Sequence, residues 1–192
     1  MSADSLFLQR MRALAETELS SERLVLEPLQ AEHAPRLFAG LSDPLLYRFI
    51  PQDPPDDLAA LTARFERIAR RGGARGDEVW LNWAIRQRDG DYCGQFEATA
   101  AAGGLVDIAY FVFTPMQGSG IATEAGTAAI AALRSGGARR IGASLDTRNL
   151  ASAALVERLG LGLIETVVAA DFFKGASSDE FRYELAYQGD AS

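Results

Sequence analysis

Residues 105–145 constrain the fold more than any other stretch of this 192-residue chain. Leu105 to Thr114 is rich in aliphatic and aromatic residues and reads as a strand. A helix is expected from about Ser119 to Arg134, ended by Ser135-Gly136-Gly137, and a second strand from Arg139 to Leu145. Together they form one strand-helix-strand crossover within a sheet. The junction is Gln117-Gly118-Ser119-Gly120-Ile121-Ala122. Helix starts expose unpaired N–H groups and the positive end of the dipole, so they bind anions. Gly118 and Gly120 let the backbone curl until successive N–H groups converge on a phosphate. Taken alone, a glycine pair is equally a plain loop that opens a helix.

The remaining elements surround this crossover. Residues 3–19 read as an amphipathic helix, with Leu6, Met11, Leu14 and Ala15 near helical spacing. Arg23 to Leu29 alternates as a short strand, residues 31–41 look helical, and Pro51 to Pro55 is a loop. Asp56 opens a helix that reaches about Arg71 and breaks at the loop Gly72-Gly73-Ala74-Arg75-Gly76-Asp77. Val79 to Arg86 and Tyr92 to Ala100 are strands joined to each other and to the 105–114 strand by short turns, hence antiparallel. A helix from about Leu150 to Leu159 and strands near 163–172 and 181–187 complete the chain. The fold class is α/β: a mixed, mostly antiparallel sheet of about seven strands with helices on both faces.

Composition excludes several functions. No run approaches the ~18 apolar residues of a membrane helix. Arg10 and Arg12 interrupt the apolar residues that a signal peptide would need. The formal charge of −7 argues against direct nucleic-acid binding and leans weakly towards a cationic or amine substrate. The single cysteine, Cys93, excludes an internal disulfide framework and fits a reducing cytoplasm. With one His and one Cys, no metal site built from those ligands is expected. His33 is expected at the surface.

Three phosphate motifs compete for the 117–122 loop. A P-loop needs Gly-Lys-Ser/Thr, which occurs nowhere in the chain. The dinucleotide fingerprint G-x-G-x-x-G/A needs glycine or alanine where Thr123 stands. The pattern Q-x-x-G-x-[GA] is met by Gln117, Gly120 and Ala122.

At this point the chain resembles the GNAT acyltransferase superfamily, and within it the Rim-type branch of ribosomal-protein N-terminal acetyltransferases. Four stretches carry the resemblance in the right order. Ser21-Glu22-Arg23-Leu24-Val25-Leu26-Glu27-Pro28-Leu29 is similar to the family's first strand, and Asp107-Ile108-Ala109-Tyr110-Phe111-Val112 to its fourth. Gln117 to Ala125 is similar to "Q-G-x-G-x-A-T-E-A". Asn149-Leu150-Ala151-Ser152 with Leu159-Gly160 is similar to "N-x-x-S" followed by "L-G-F", with Leu161 at the phenylalanine. The resemblance covers roughly residues 20 to 188, giving a helical extension over 1–20 and an N-acetyltransferase domain over 21–192.

The resemblance implies acetyl-CoA as cosubstrate, direct attack by a substrate amine without an acyl-enzyme, and a packed rather than nucleophilic Cys93. It also implies that the cosubstrate is held by backbone groups of Phe111, Val112 and Phe113, by Gln117, Gly118, Ser119, Gly120, Ile121, Ala122 and Thr123, and near Asn149 and Ser152. A main-chain N–H beside the thioester would act as an oxyanion donor. Many members place a tyrosine acid seven residues after the asparagine. Here Val156 occupies that position, and Ser152, the Rim-type serine, is the candidate acid, with helix capping as its structural alternative.

Glu97, Asp107 and Asp171 are the candidate bases, being carboxylates on apolar strands. Asp107 resembles a fourth-strand glutamate base, and Asp171 stands in "A-E-Y-x-x-G" one methylene short. Trp80, Asn82 and Tyr110 are candidate acceptor-binding residues, with Trp83 in the core. A weak base suits an α-amine at ~8 better than a lysine at ~10.4. The expected partner is a small-molecule or peptide amine. Alternatives are an amino sugar, an antibiotic or a modified nucleobase as acceptor, or a degenerate acyl-CoA-binding module without turnover. The 3–19 helix packs on the domain, covers the cleft or builds a homodimer.

Overall fold

A computed structural model describes residues 2–73 and 75–187. Ala74 of the expected 72–77 loop lies outside the described residues. The helices are α1 (Ala3–Ala15), α2 (Ala34–Leu41), α3 (Leu58–Ile68), α4 (Ile121–Ser135) and α5 (Leu150–Arg158). The strands are β1 (Leu19–Ser20), β2 (Leu24–Pro28), β3 (Glu78–Gln87), β4 (Tyr92–Ala101), β5 (Leu105–Val112), β6 (Arg140–Asp146), β7 (Gly162–Phe173) and β8 (Ala176–Ala186). They form one eight-stranded sheet in the order β1-β2-β3-β4-β5-β6-β8-β7. The strand beyond the expected seven is the two-residue β1, too short to carry an alternation signal. Every pairing is antiparallel except β5 with β6, the pair spanned by the α4 crossover.

Strand alternation divides the sheet into two faces. On β3, Val79, Leu81, Trp83 and Ile85 enter the larger core cluster, joined by Phe96 and Ala98 of β4 and Val106 and Ile108 of β5. That face is covered by α1, α4 and α5, whose residues Met11, Ala129 and Val156 belong to the same cluster. On the opposite face Ala84 and Phe113 pack with Leu37 and Leu41 of α2 and Leu61 and Phe65 of α3. Trp83 is fully buried, as expected.

α1 packs against the sheet of its own chain. Its buried stripe is Phe7, Leu8, Met11 and Ala15, whereas Leu6 of the expected stripe is 41% exposed. Single-turn spacing alone does not distinguish these two faces of a helix. A Cβ at Gly136 would lie 2.2 Å from Met11 Cε, so α1 meets the end of α4 without clearance. Trp83 Nε1–H donates to Thr17 O across 3.0 Å, fixing the chain as it leaves the helix.

His33 is half-buried rather than on the surface. The Gln30 N–H donates to its Nδ1 at 3.0 Å, and Nε2 lies 3.2 Å from Glu27 Oε2. Glu27 also accepts from Arg86 Nε and Tyr92 Oη. A β2 carboxylate thus draws the imidazole inward, through a contact the local pattern does not disclose.

Candidate active site

The parallel junction of β5 and β6 lasts three residue pairs, Leu105–Arg140, Val106–Ile141 and Asp107–Gly142. Beyond it β5 stays paired with β4 to Val112, while β6 stays paired with β8 to Asp146. The two strands therefore part after Asp107 and leave a wedge with unpaired backbone on its β5 wall. The parity of that wall follows from one bond: Phe113 N–H donates to Cys93 O at 2.9 Å. In an antiparallel pair, alternate residues turn their amides to the same neighbour. Phe111 and Phe113 thus serve β4, correcting the expectation that both offer backbone groups to a ligand. Ile108, Tyr110 and Val112 face the wedge instead, with the Val112 carbonyl taken by Gln117 Nε2 at 3.0 Å. Sequence alternation marks which side chains share a face but not which edge the amides meet.

At the open end of the wedge stands the glycine loop. α4 begins at Ile121, two residues later than expected, with Gly120 as its N-cap. Gly118 has φ 76° and Gly120 φ 84°, left-handed values that glycine adopts without a Cβ penalty. No side chain caps α4, so the first N–H groups of this 15-residue helix keep their donors. A Cβ at Gly118 would meet nothing within 4 Å, and one at Gly120 only Arg23 Nη2 at 3.3 Å. This open cradle fits a pyrophosphate.

Arg23 and Glu124 belong to this site, though the sequence argument assigned them no role. Glu124, in the first turn of α4, accepts from Ser21 Oγ (2.6 Å), Arg23 N (2.8 Å) and Arg23 Nε (2.6 Å). Arg23 Nη1 also donates to Ser119 O at 3.2 Å. The 21–29 and 117–125 stretches, read separately above, thus meet in one bonded cluster. Arg23 offsets the Glu124 charge beside a site for anions and restrains the loop. Arg23→Ala is expected to raise the KM for acetyl-CoA roughly 10-fold with kcat little changed, as loss of one or two charged contacts implies. Steady-state kinetics with varied acetyl-CoA checks this; an unchanged KM would exclude Arg23 from the cradle.

The other wall of the wedge ends at α5. Asn149 is the N-cap, its Oδ1 accepting from Ser152 N at 3.2 Å, so the Ser152 hydroxyl is not the cap. Tyr110 Oη approaches Ser152 O at 3.5 Å. Burial pushes the Tyr110 phenol up, opposed by the Ser152 hydroxyl and by Arg158. Tyr110 therefore lies on the α5 face, not with Trp80 and Asn82 as a shared acceptor-binding role would require. Its cross-strand partner is Phe96, a member of the larger core. Asp146 anchors the turn into α5, accepting from Arg148 Nε (2.8 Å) and Ser178 Oγ (2.7 Å). Arg148 beside it holds its carboxyl down at about 2.

On the opposite face of the sheet, α3 and β3–β4 border an open cavity of about 540 Å³, lined in part by Trp80, Asn82, Glu97 and Thr99. Cross-strand register explains the grouping: Asn82 faces Glu97, Trp80 faces Thr99, Glu97 faces Ala109 and Thr99 faces Asp107. Glu97 thus sits one strand away from the wedge. Its side chain is 25% exposed, into the cavity, and accepts from Gln95 Nε2 and, at 3.4 Å, Arg64 Nη2. Burial pushes its carboxyl up, opposed by Arg64 and Gln95.

Asp107 lies where β5 and β6 part, its carboxyl raised by burial; a Cβ at its partner Gly142 would come within 2.7 Å of Oδ1. Asp171 is exposed on β7, accepting from the Phe172 N–H, and does not line the cavity. Cys93 is fully buried, its thiol pushed up to about 12, which suits packing and not nucleophilic attack. Among the described residues no group of His, Cys, Asp and Glu is arranged to hold a metal, and no helix is long and apolar enough to cross a membrane.

A wedge between parallel strands, closed by an uncapped glycine helix start and flanked by a carboxylate-bearing cavity, defines an acyl-transfer architecture. The chain belongs to the GNAT acetyltransferase family: the family model described as "Acetyltransferase (GNAT) domain" matches residues 23–162. It is a GNAT-family N-acetyltransferase, and enzymes of this family use acetyl-CoA. No curated protein matches the sequence. Among solved structures, a probable GNAT-family acetyltransferase from Chromobacterium violaceum ATCC 12472 is 25% identical with a TM-score of 0.75, covering 89% of this chain and 86% of that one. An acetyl transferase from Salmonella typhimurium that modifies the N-terminal serine of ribosomal protein L7/L12 is 18% identical, TM-score 0.76, with 88% and 97% covered. The microcin C7 self-immunity acetyltransferase, in complex with acetyl-CoA and AMP, is 17% identical, TM-score 0.75, with 87% and 94% covered.

Proposed function

We propose that this protein acetylates a primary amine of a small molecule or peptide, with Glu97 as the base and Ser152 as the acid. The observation that carries this reading is Glu97 itself, a largely buried carboxylate that opens into the cavity one strand from the wedge. When bound, acetyl-CoA supplies an activated acyl group, so that a C–N bond forms as the C–S bond breaks. Backbone N–H groups of Ile121, Ala122 and Thr123 hold the pyrophosphate. The wedge-facing amides of Tyr110 and Val112 position the acyl arm and donate to its carbonyl oxygen. Glu97 takes the proton the amine loses, directly or through one water. The Ser152 hydroxyl, beside Tyr110 Oη, returns a proton to the departing thiolate. Trp80 and Asn82 line the acceptor side.

Thiol release from acetyl-CoA, measured with a panel of primary amines, tests the activity. Amine-dependent release is expected, and binding of acetyl-CoA without release above background would defeat the proposal. Ser152→Ala is expected to lower kcat roughly 10- to 100-fold, leaving the melting temperature and the acetyl-CoA KM close to wild type. The cap belongs to Asn149, so stability should not follow. Parallel loss of stability and kcat would return Ser152 to a structural role.

A further inference from the structure

The acceptor cavity carries an arginine that neither carboxylate of its lining engages. Arg64 and Arg67 both line it from α3, three residues apart and therefore neighbours on one helix face. Arg64 pairs with Glu97. The other lining carboxylate, Asp53, is engaged by Lys174 Nζ at 2.8 Å, delivered from the β7–β8 hairpin. Arg67 has no carboxylate within ion-pairing distance among the described residues. The lining itself thus holds two arginines and two carboxylates, and with Glu97 paired to Arg64 and Asp53 to Lys174, Arg67 is the charge left over, in a protein whose formal charge is −7. Like charges placed three apart on a helix repel each other, so this pairing has no local advantage.

We infer that the acceptor is a zwitterion, a primary amine with a carboxylate or phosphate a few bonds away, whose anionic group is held by Arg67 with help from Arg64. The inference rests on the acetyltransferase reading above and names its substrate class. A simple ammonium would add positive charge beside Arg67 and leave that guanidinium without a counter-charge. A zwitterion adds none, and its anion gains the planar fork of donors that guanidinium offers to carboxylate and phosphate. The same arginines lower the affinity of the nearby amine for its proton, which favours the neutral nucleophile. The acidic surface, which leans towards cationic substrates, is thereby overridden inside the cavity.

The test is acetyl transfer to matched amines: amino acids against their methyl esters, and aminoalkyl phosphates against the corresponding amino alcohols. KM for the preferred anionic member is expected to lie at least ~10-fold below that of its neutral counterpart, since contacts to a charged group carry such factors. The carboxylate and phosphate arms report which anion the site takes. Arg67→Gln should raise KM for the anionic member about 10-fold or more, and Arg67→Glu further still, while KM for the neutral counterpart moves less than ~2-fold. Neutral amines used equally well, or both members weakened equally by Arg67→Gln, would overturn the inference and leave acetyl transfer standing. Acetylation confined to amines without an anion would overturn it too. Acetylation of other primary amines with no member of this panel acetylated defeats this inference alone, whereas acetyl-CoA binding with no amine-dependent thiol release from any amine defeats the reading beneath it.

Discussion

Gly120→Glu is expected to abolish acetyl-CoA binding while the protein remains folded. Gly120 caps α4 at φ 84°, where any residue with a Cβ pays roughly 1–2 kcal/mol. The new carboxylate would project from the cradle beside the uncapped N–H groups, towards the place where the pyrophosphate must sit. Two unit charges about 4 Å apart near a protein surface repel by about 4 kcal/mol before salt screening. The strain is common to the free and the bound protein, so the repulsion alone sets the binding loss, at least ~100-fold in affinity. Calorimetric titration with acetyl-CoA measures this directly, and Gly120→Ala separates backbone strain from charge. If the glutamate variant binds as tightly as wild type, the 117–122 loop does not hold the pyrophosphate. The strain should lower the variant's melting temperature by only a few degrees, so lost binding is not lost folding.

Glu97→Gln tests the chemistry instead of the binding. Removing a general base lowers turnover by roughly 100- to 10,000-fold, and kcat/KM for the amine should fall by that order. Because burial raises the Glu97 carboxyl above its ordinary 4.5, wild-type kcat/KM should decline as pH falls through the raised value. The variant should lack that acid limb. Stability changes in the opposite direction. A raised folded pKa means that the native state binds the proton more tightly than the unfolded chain. This carboxyl's contribution is therefore fully present below the unfolded value and is lost as pH rises through the folded one. At neutral pH Glu97→Gln should melt no lower than wild type, provided Arg64, a quarter exposed, re-solvates. An active variant with an unchanged acid limb would transfer the role of base to another group, Asp107 being the nearest carboxylate by register.

The sequence alone was enough for the order of the elements, the crossover and the glycine loop. Each of these depends on local chemistry: periodicity, turn residues and the left-handed backbone that Gly118 and Gly120 supply. It also carried enough of the family pattern to anticipate acetyl-CoA and a packed Cys93. The tertiary structure decided which groups meet. Strand parity, fixed by the Phe113–Cys93 bond, turned Ile108, Tyr110 and Val112 towards the wedge in place of Phe111 and Phe113. It also sent Tyr110 to the α5 face, away from Trp80 and Asn82. Register across β3, β4 and β5 put Glu97 between Asn82 and Ala109 and left Asp171 exposed on β7. Arg64 and Arg67 look like any polar helix face until α3 folds over the sheet, and Arg23 has no visible partner until Glu124 arrives from 101 residues away. Local sequence sets backbone conformation. Contacts between distant residues follow from how whole faces pack, and those contacts build the site.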